Sequence, residues 1–380
     1  MSSPRGGRGL FIGRLLGIEF FLDYSWFVIA ALVTYTLVVE FFPEEVPDHS
    51  TGFYVILGVV AAALFFSSIL LHELGHSVVS QRCGIPVPRI TLLFIGGLAE
   101  ISREPDDPKS ELKIALGGPA VSVLLVGFYA GTAWLLTWLE VAGFDQVCIW
   151  LAWTNAGLVI FNMFPGYPLD GGRVLRAILW ARSGKMRRAT YITSRIGIGF
   201  SWLLVALGMW LLLREPHRWS ALIYVMIGMF LKQAAERGYG NAVERSVLAG
   251  LNVSDVMTRT PVSIPAHLPL NRAVDEFFLT NHHVAFPVCG PEGEFHGLLR
   301  LASLKEVPRE RWPYTTAGDV VANASDHALS IEANRSAARA LRELQLPGRA
   351  QLAVVEEGRL VGIITRGDLL QFIKIQTELE

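Results

Sequence analysis

"LLHELGHSVVS" (Leu70–Ser80) ends a run that carries no charge from Gly52 to Leu71. At about 1.5 Å per residue, such a run covers roughly the 30 Å hydrocarbon core of a bilayer. His72, Glu73 and His76 stand at its foot. Ionisable groups at membrane depth are costly and generally serve function. On a helix, His72 and His76 project from one side about one turn apart, as two imidazoles on a single metal ion require.

The surrounding composition fits a membrane setting. The chain has 380 residues, of which 52% are hydrophobic and 18% charged, and its mean hydropathy is +0.40. A soluble chain carries about 25% charge. The apolar excess lies before residue 232, and the remainder reads as soluble. A net charge of −1 gives no reason to expect a nucleic-acid partner. Cys83, Cys148 and Cys289 form no C-x-x-C pair, which argues against a disulfide framework or a cysteine zinc site. Arg5, Arg8 and Arg14 precede no compact cleavable signal, so the first span is expected to be retained.

Further spans are expected at Tyr24–Val39, Ile114–Leu139, Gln146–Leu169 and Ile196–Leu213. Pro165 and Pro168 break the fourth near its end. Trp219–Leu231 is short, and reads either as a tilted sixth helix or as an interfacial one. Segments 1–17, 81–113, 173–188 and 232–245 carry 3, 5, 6 and 3 Lys and Arg. Segments 43–51, 140–145 and 214–218 carry 0, 0 and 2. Positive charge marks the cytoplasmic side. Both termini are therefore expected in the cytoplasm, and the histidine motif and Pro165–Arg173 meet near that face.

H-E-x-x-H on a helix is a zinc metalloprotease signature. Zinc makes hydroxide available near neutral pH, and Glu73 is placed to take the water's proton and later return it to a leaving amine. The pattern fixes only three positions, and two histidines at a helix end can also be plain interfacial groups. A catalytic zinc needs three protein ligands and an open position. "FNMFPGYPLDGG" (Phe161–Gly172) offers Asp170, in backbone loosened by prolines and glycines. The competing reading makes Asp170 a helix cap, with Arg173 and Arg176 facing lipid head groups; beside a histidine motif, ligation is favoured. Asn162 could donate a hydrogen bond to a developing oxyanion.

"HELGH" followed by "NMFPGYPLDGGR" resembles the site-2 protease family of intramembrane zinc metalloproteases. The resemblance covers about residues 8–235. It extends to "FIGRLLGIEFFLDYSW" before the first span, to "LGGPAVSV" (Leu116–Val123), and to "RITLLFIGGLAEI" (Arg89–Ile101), which is similar to a membrane-associated β-hairpin. It implies one zinc held by His72, His76 and Asp170, with Glu73 as general base and Asn162 in support. The hairpin edge either holds an unwound substrate by strand addition or is an ordinary juxtamembrane hairpin. Gly118 and Ser122 read as a small-residue packing pair.

Glu236–Ala249 reads as a polar connector between a membrane domain (1–235) and a soluble tail. Two tail segments repeat the order helix, strand, helix, strand, turn, strand, helix. They resemble a tandem of CBS domains (250–310 and 311–380), chiefly through "DVMTRTPVSI" and "LVGIITRGDLL". Such pairs often bind adenine nucleotides, and Thr365 and Asp368 fit the ribose-contacting pattern. The same two residues also describe an ordinary N-cap. Arg300 and Ser303 replace that pattern in the first repeat.

The expected fold is a polytopic α-helical membrane domain of about six transmembrane helices with a small β-hairpin, plus a soluble α/β CBS pair. The expected function is zinc-dependent cleavage of a transmembrane or membrane-proximal segment of a substrate protein, in the cell membrane. The CBS domains would regulate it and could associate as a homodimer. The alternatives are a CBS-regulated transporter or channel, which needs no H-E-x-x-H, and a silent scaffold, which would lack a ligand or the glutamate.

Overall fold

A computed structural model describes residues 9–94, 96–141, 143–214, 221–323, 329–346 and 348–379. Arg5, Arg8, Trp219 and the 215–218 segment used above lie outside the described residues. The chain divides into two compact units, one ending at Tyr239 and the other beginning at Gly240.

In the first unit, strands β1 (Gly9–Leu15) and β2 (Ile18–Asp23) precede helices α1 (Tyr24–Glu45) and α2 (Thr51–Arg82). Strands β3 (Arg89–Leu93) and β4 (Gly96–Glu100) follow, then α3 (Pro108–Trp138), α4 (Phe144–Asn162), α5 (Asp170–Ser183), α6 (Met186–Arg214) and the first part of α7 (Ala221–Leu248), whose last residues fall in the second unit. Among the described residues, α1, α2, α3, α4 and α6 are the five helices long and apolar enough to cross a membrane. The starts are capped locally. Asp23 accepts from the Ser25 amide, Ser50 from Phe53, and Asp107 from Lys109 and Ser110. The Ser110 hydroxyl and amide hold the Asp107 carboxyl below its ordinary pKa.

The expected hairpin is half of a larger sheet. Its strand order is β1-β2-β3-β4, with β2 and β3 parallel and the other pairs antiparallel. The β1–β2 turn is made by Leu16 and Gly17 at φ 52° and 81°, the left-handed pair of a two-residue hairpin. Leu-Gly lacks the usual Asn-Gly signal, which is why these strands read only as a lead-in to the first span. Ile18, Phe20 and Ile90 are buried against Leu70 and Leu74 of α2. The sheet is thereby seated beside the histidine motif.

Helices α2 and α3 touch backbone to backbone. A Cβ at Gly75 would stand 2.5 Å from the Gly117 carbonyl oxygen, and one at Gly117 would stand 2.7 Å from that of Gly75. Small residues are what permit such an approach within a membrane. Farther along, Leu57 and Ala61 of α2, Tyr129 and Ala133 of α3 and Leu151 of α4 close a common core.

Among the described residues, the second unit holds two sheets. One has the order β5 (Thr258–Arg259), β11 (Arg359–Thr365), β10 (Gln351–Glu356), β9 (Ser330–Glu332). The other runs β6 (Ile264–Pro265), β7 (Ala285–Cys289), β8 (Phe295–Arg300). Strand β5 comes from the first repeat but pairs with β11 of the second. The second repeat therefore borrows a strand from the first to complete its sheet, whereas β6, β7 and β8 all come from the first repeat.

Gly117→Val should force α2 and α3 apart and destabilise the protein by about 1–3 kcal/mol. Thermal unfolding in detergent measures it; an unchanged midpoint would contradict the backbone contact.

Candidate metal centre

Helix α2 carries the histidines past the apolar run without a break, because it continues to Arg82. Asp170 arrives from a different direction. After α4 ends at Asn162, the chain turns through 163–169 and starts α5 at Asp170. Leu169 anchors that turn, buried against Leu204 of α6 and Leu231 of α7. A side chain at Gly171 would strike the Met163 carbonyl, and one at Gly172 would strike the Gly166–Tyr167 peptide. The two glycines let the α5 start lie directly on the loop before it.

The candidate ligand atoms converge. His72 Nε2 and His76 Nε2 are 3.2 Å apart. Asp170 Oδ2 lies 3.3 Å from the first and 3.2 Å from the second. Donors about 2.0–2.1 Å from a tetrahedral zinc stand about 3.3–3.4 Å from one another. The triangle therefore has the size of one face of a zinc tetrahedron. All three residues are buried, at 4%, 5% and 8% exposure. Among the described residues they are the His, Cys, Asp and Glu group close enough to hold a metal ion.

The rings are oriented from α3. His76 Nδ1 is 2.7 Å from the Ile114 carbonyl oxygen. A carbonyl only accepts, so Nδ1–H donates and Nε2 is left with a lone pair. His72 Nδ1 is 2.9 Å from Ser122 Oγ, which can accept in the same way. With both rings in that tautomer, two nitrogen lone pairs and a carboxylate oxygen face one another at contact distance. They repel unless a cation sits among them, so the donor set fits a divalent metal. A side chain at Gly118 would collide with Nε2 of both histidines. Gly118 and Ser122 thus do more than pack helices: one leaves the space at the ligand atoms open, and the other orients a ring.

Glu73 is half-buried where the ligands are sealed. A Cβ at Gly97 of β4 would come within 3.0 Å of Glu73 Cδ and 3.3 Å of its Oε1. The outer strand of the sheet therefore lies against the glutamate. Asn162 is half-buried at the last position of α4.

Asp170 is not the cap of its helix. It is the first helical residue, Leu169 holds the cap position, and no side chain caps there. Nor does Arg176 face lipid head groups. It is buried and paired with Glu111 of α3. The Ile114 carbonyl and Gly97 were invisible to motif reading, because neither a backbone oxygen nor an absent side chain carries a chemical signature. Ser122 had a faint one, four residues beyond Gly118.

In the second unit, Asp368 Oδ2 accepts from the Thr365 amide at 3.0 Å and hydroxyl at 2.8 Å, and the Asp368 amide donates to Thr365 Oγ1 at 3.1 Å. Thr316 and Asp319 repeat this reciprocal cap at the start of the helix Ala317–Asn323. There the Thr316 hydroxyl and amide hold the Asp319 carboxyl below its ordinary pKa. The arrangement is a helix start wherever it occurs. In the first repeat the matching positions hold Arg300, the last residue of β8, and buried Ser303.

Comparison with known proteins agrees with this geometry. The Peptidase family M50 model matches residues 60–141 and 134–204, and the CBS domain model matches 253–310 and 317–375. The chain is 32% identical over 369 residues to the "Putative zinc metalloprotease sll0528" of Synechocystis sp., covering 96% of this chain and 95% of that protein. It is 31% identical over 370 residues to the "Putative zinc metalloprotease Rip3" of Mycobacterium tuberculosis, covering 96% and 92%. Among solved structures, the site-2 protease from Methanocaldococcus jannaschii is 26% identical, covers 61% of this chain and 95% of that one, and has a TM-score of 0.42. Two relatives above 30% identity along almost the whole chain, together with the matched metalloprotease and CBS regions, show that the chain belongs to the M50 family of zinc metalloproteases and carries a tandem CBS pair.

Proposed function

We propose that His72, His76 and Asp170 hold one zinc ion, that Glu73 is the general base, and that the substrate is a transmembrane or membrane-proximal segment of another protein. The observation that carries this is the triangle of three buried ligand atoms, 3.2–3.3 Å on each side. Zinc, when bound, supplies Lewis-acid activation of water and of the scissile carbonyl. Glu73 accepts the water's proton and passes it to the leaving amine. Its contact with Gly97 limits the directions its carboxylate can take. Asn162 donates to the oxyanion that develops on the carbonyl. A transporter or channel needs no H-E-x-x-H motif and no general base beside its ligands.

A helical substrate must unwind before its amide reaches such a site. Strand β4 ends the sheet order, and so has one edge unpaired among the described residues. An extended substrate segment pairs with that edge, which the Gly97 contact puts next to Glu73. The chain crosses the membrane several times, with both termini and the CBS pair in the cytoplasm; the Lys and Arg asymmetry supports this orientation. The apolar half of α7 would complete an even number of crossings. The CBS pair regulates cleavage, with an adenine nucleotide at the second repeat, contacted by Thr365 and Asp368.

Metal analysis of detergent-purified protein should find about one zinc per chain, sharply reduced in Asp170→Ala. Glu73→Gln should keep the zinc and lower cleavage by about 10²–10⁴-fold. Membrane proteins that persist uncut in cells carrying Glu73→Gln, and are cut by the wild type, identify the substrates. A zinc-free wild type would sink the protease reading.

Strand pairing has its own test. With Leu98→Cys in β4, disulfide crosslinks to cysteines scanned along a substrate should recur at every second position. A helical period of three to four would exclude strand addition.

Calorimetric titration with AMP and ATP tests the CBS site. Binding should be lost in Asp368→Ala; an unchanged titration would leave Asp368 as a cap alone.

A further inference from the structure

Arg176 and Glu111 are among the least exposed charged residues described, at 3% and 0% exposure. Arg176 Nε donates to Glu111 Oε1 at 2.6 Å, and Nη2 donates to the same oxygen. The other carboxylate oxygen, Oε2, is buried without a hydrogen-bond partner among the described residues. Such a pair is a poor source of stability. Desolvating two charges costs several kcal/mol per ion, and an orphaned acceptor adds to that cost. Apolar residues of similar volume would often serve stability as well or better. The place of the pair in the fold suggests another role.

Glu111 lies in the first turn of α3, one turn before Ile114, whose carbonyl orients His76 at 2.7 Å. Arg176 lies on α5, the helix that begins with Asp170. The ion pair therefore ties the element that aims one ligand to the element that carries another. Arg176 has a second contact. Its guanidinium carbon sits 5.1 Å from the centre of the Tyr167 ring, in the loop just before Asp170. Tyr167 is itself fixed. Its amide donates to the Thr193 carbonyl at 3.0 Å. Its carbonyl leaves no room for a side chain at Gly197, and its ring leaves none at Gly238. One guanidinium thus holds α5 against α3 on one side and against the loop on the other, with Asp170 between.

Resting on the zinc centre proposed above, we propose that Glu111, Arg176 and Tyr167 are positioning residues that hold Asp170 and His76 at ligating distance. Among the described residues no contact of theirs reaches a ligand atom, so they act through the backbone of α3, α5 and the loop. Metal sites tolerate displacements of only about 0.5 Å before geometry is lost, and removing groups that orient ligands typically costs about 10–100-fold in metal affinity.

The test compares purified full-length variants by zinc affinity in a chelator competition, by the visible spectrum of the cobalt-substituted protein, and by thermal midpoint. Glu111→Gln and Arg176→Met should each weaken zinc binding about 10–100-fold and alter the cobalt spectrum. The double variant Glu111→Leu/Arg176→Met buries no unpaired charge, so its midpoint should recover to that of the wild type or above. Its zinc affinity should stay low. Tyr167→Phe keeps the ring under the guanidinium and should bind zinc like the wild type, whereas Tyr167→Leu should not. A double variant with wild-type zinc affinity and cobalt spectrum would make the pair structural only, and would overturn this inference while leaving the zinc centre standing. A wild type without zinc would overturn the zinc centre and the inference together.

Discussion

The contact between Gly75 and Gly117 is the constraint on which the rest of the first unit depends. Two helices that touch backbone to backbone bring a carbonyl of one within reach of an imidazole of the other. Ile114 and Ser122 of α3 then aim both rings, and Gly118 keeps the space at their Nε2 atoms clear. Larger residues at the crossing would separate the helices, and the rings would lose the partners that choose their tautomer. Close packing in lipid draws on small residues because hydrocarbon offers no hydrophobic drive between helices. Here the same small residues also make room for chemistry.

Asp170 meets a different constraint. Polar backbone at membrane depth is tolerated only where protein buries it or water reaches it. The 163–169 loop follows that rule. Leu169 is sunk in apolar side chains, the Tyr167 amide donates to Thr193, and Gly171 and Gly172 let α5 close over the turn. An irregular segment is thereby made rigid enough to hold a carboxylate. On the other side of α2, Ile18, Phe20 and Ile90 seat the sheet against Leu70 and Leu74, and the seating carries Gly97 to Glu73. Glu73 is thus braced by the sheet, while the rings of His72 and His76, on the same helix, are braced by α3.

The second unit follows its own logic. Strand β5 of one repeat completes the sheet of the other, so the pair folds as one body. The reciprocal cap at Thr365–Asp368 has a counterpart at Thr316–Asp319. A motif that closes a helix start in two places has a structural use independent of any nucleotide.

The sequence by itself determined the features that depend on local periodicity. His72 and His76 had to share a helix face once the run around them was helical, and Glu73 had to lie beside the first of them. The apolar runs marked the helices, and the Pro and Gly cluster marked the turn that delivers Asp170. The tertiary structure decided what depends on partners distant in the chain. A carbonyl such as that of Ile114 looks alike in every sequence and acquires its role only when another helix brings a ring to it. Whether Asp170 capped its helix or faced the imidazoles was a competition between a local and a distant partner, and the packing of α5 on its own loop settled it. Strands β1 and β2 escaped notice because their turn lacks Asn-Gly, and only pairing with β3 makes them part of a sheet. Glu111 and Arg176 lie 65 residues apart in the chain, and read singly each looks like a charge at a membrane surface. Only the packing of α5 against α3 removes both from water and makes them a pair.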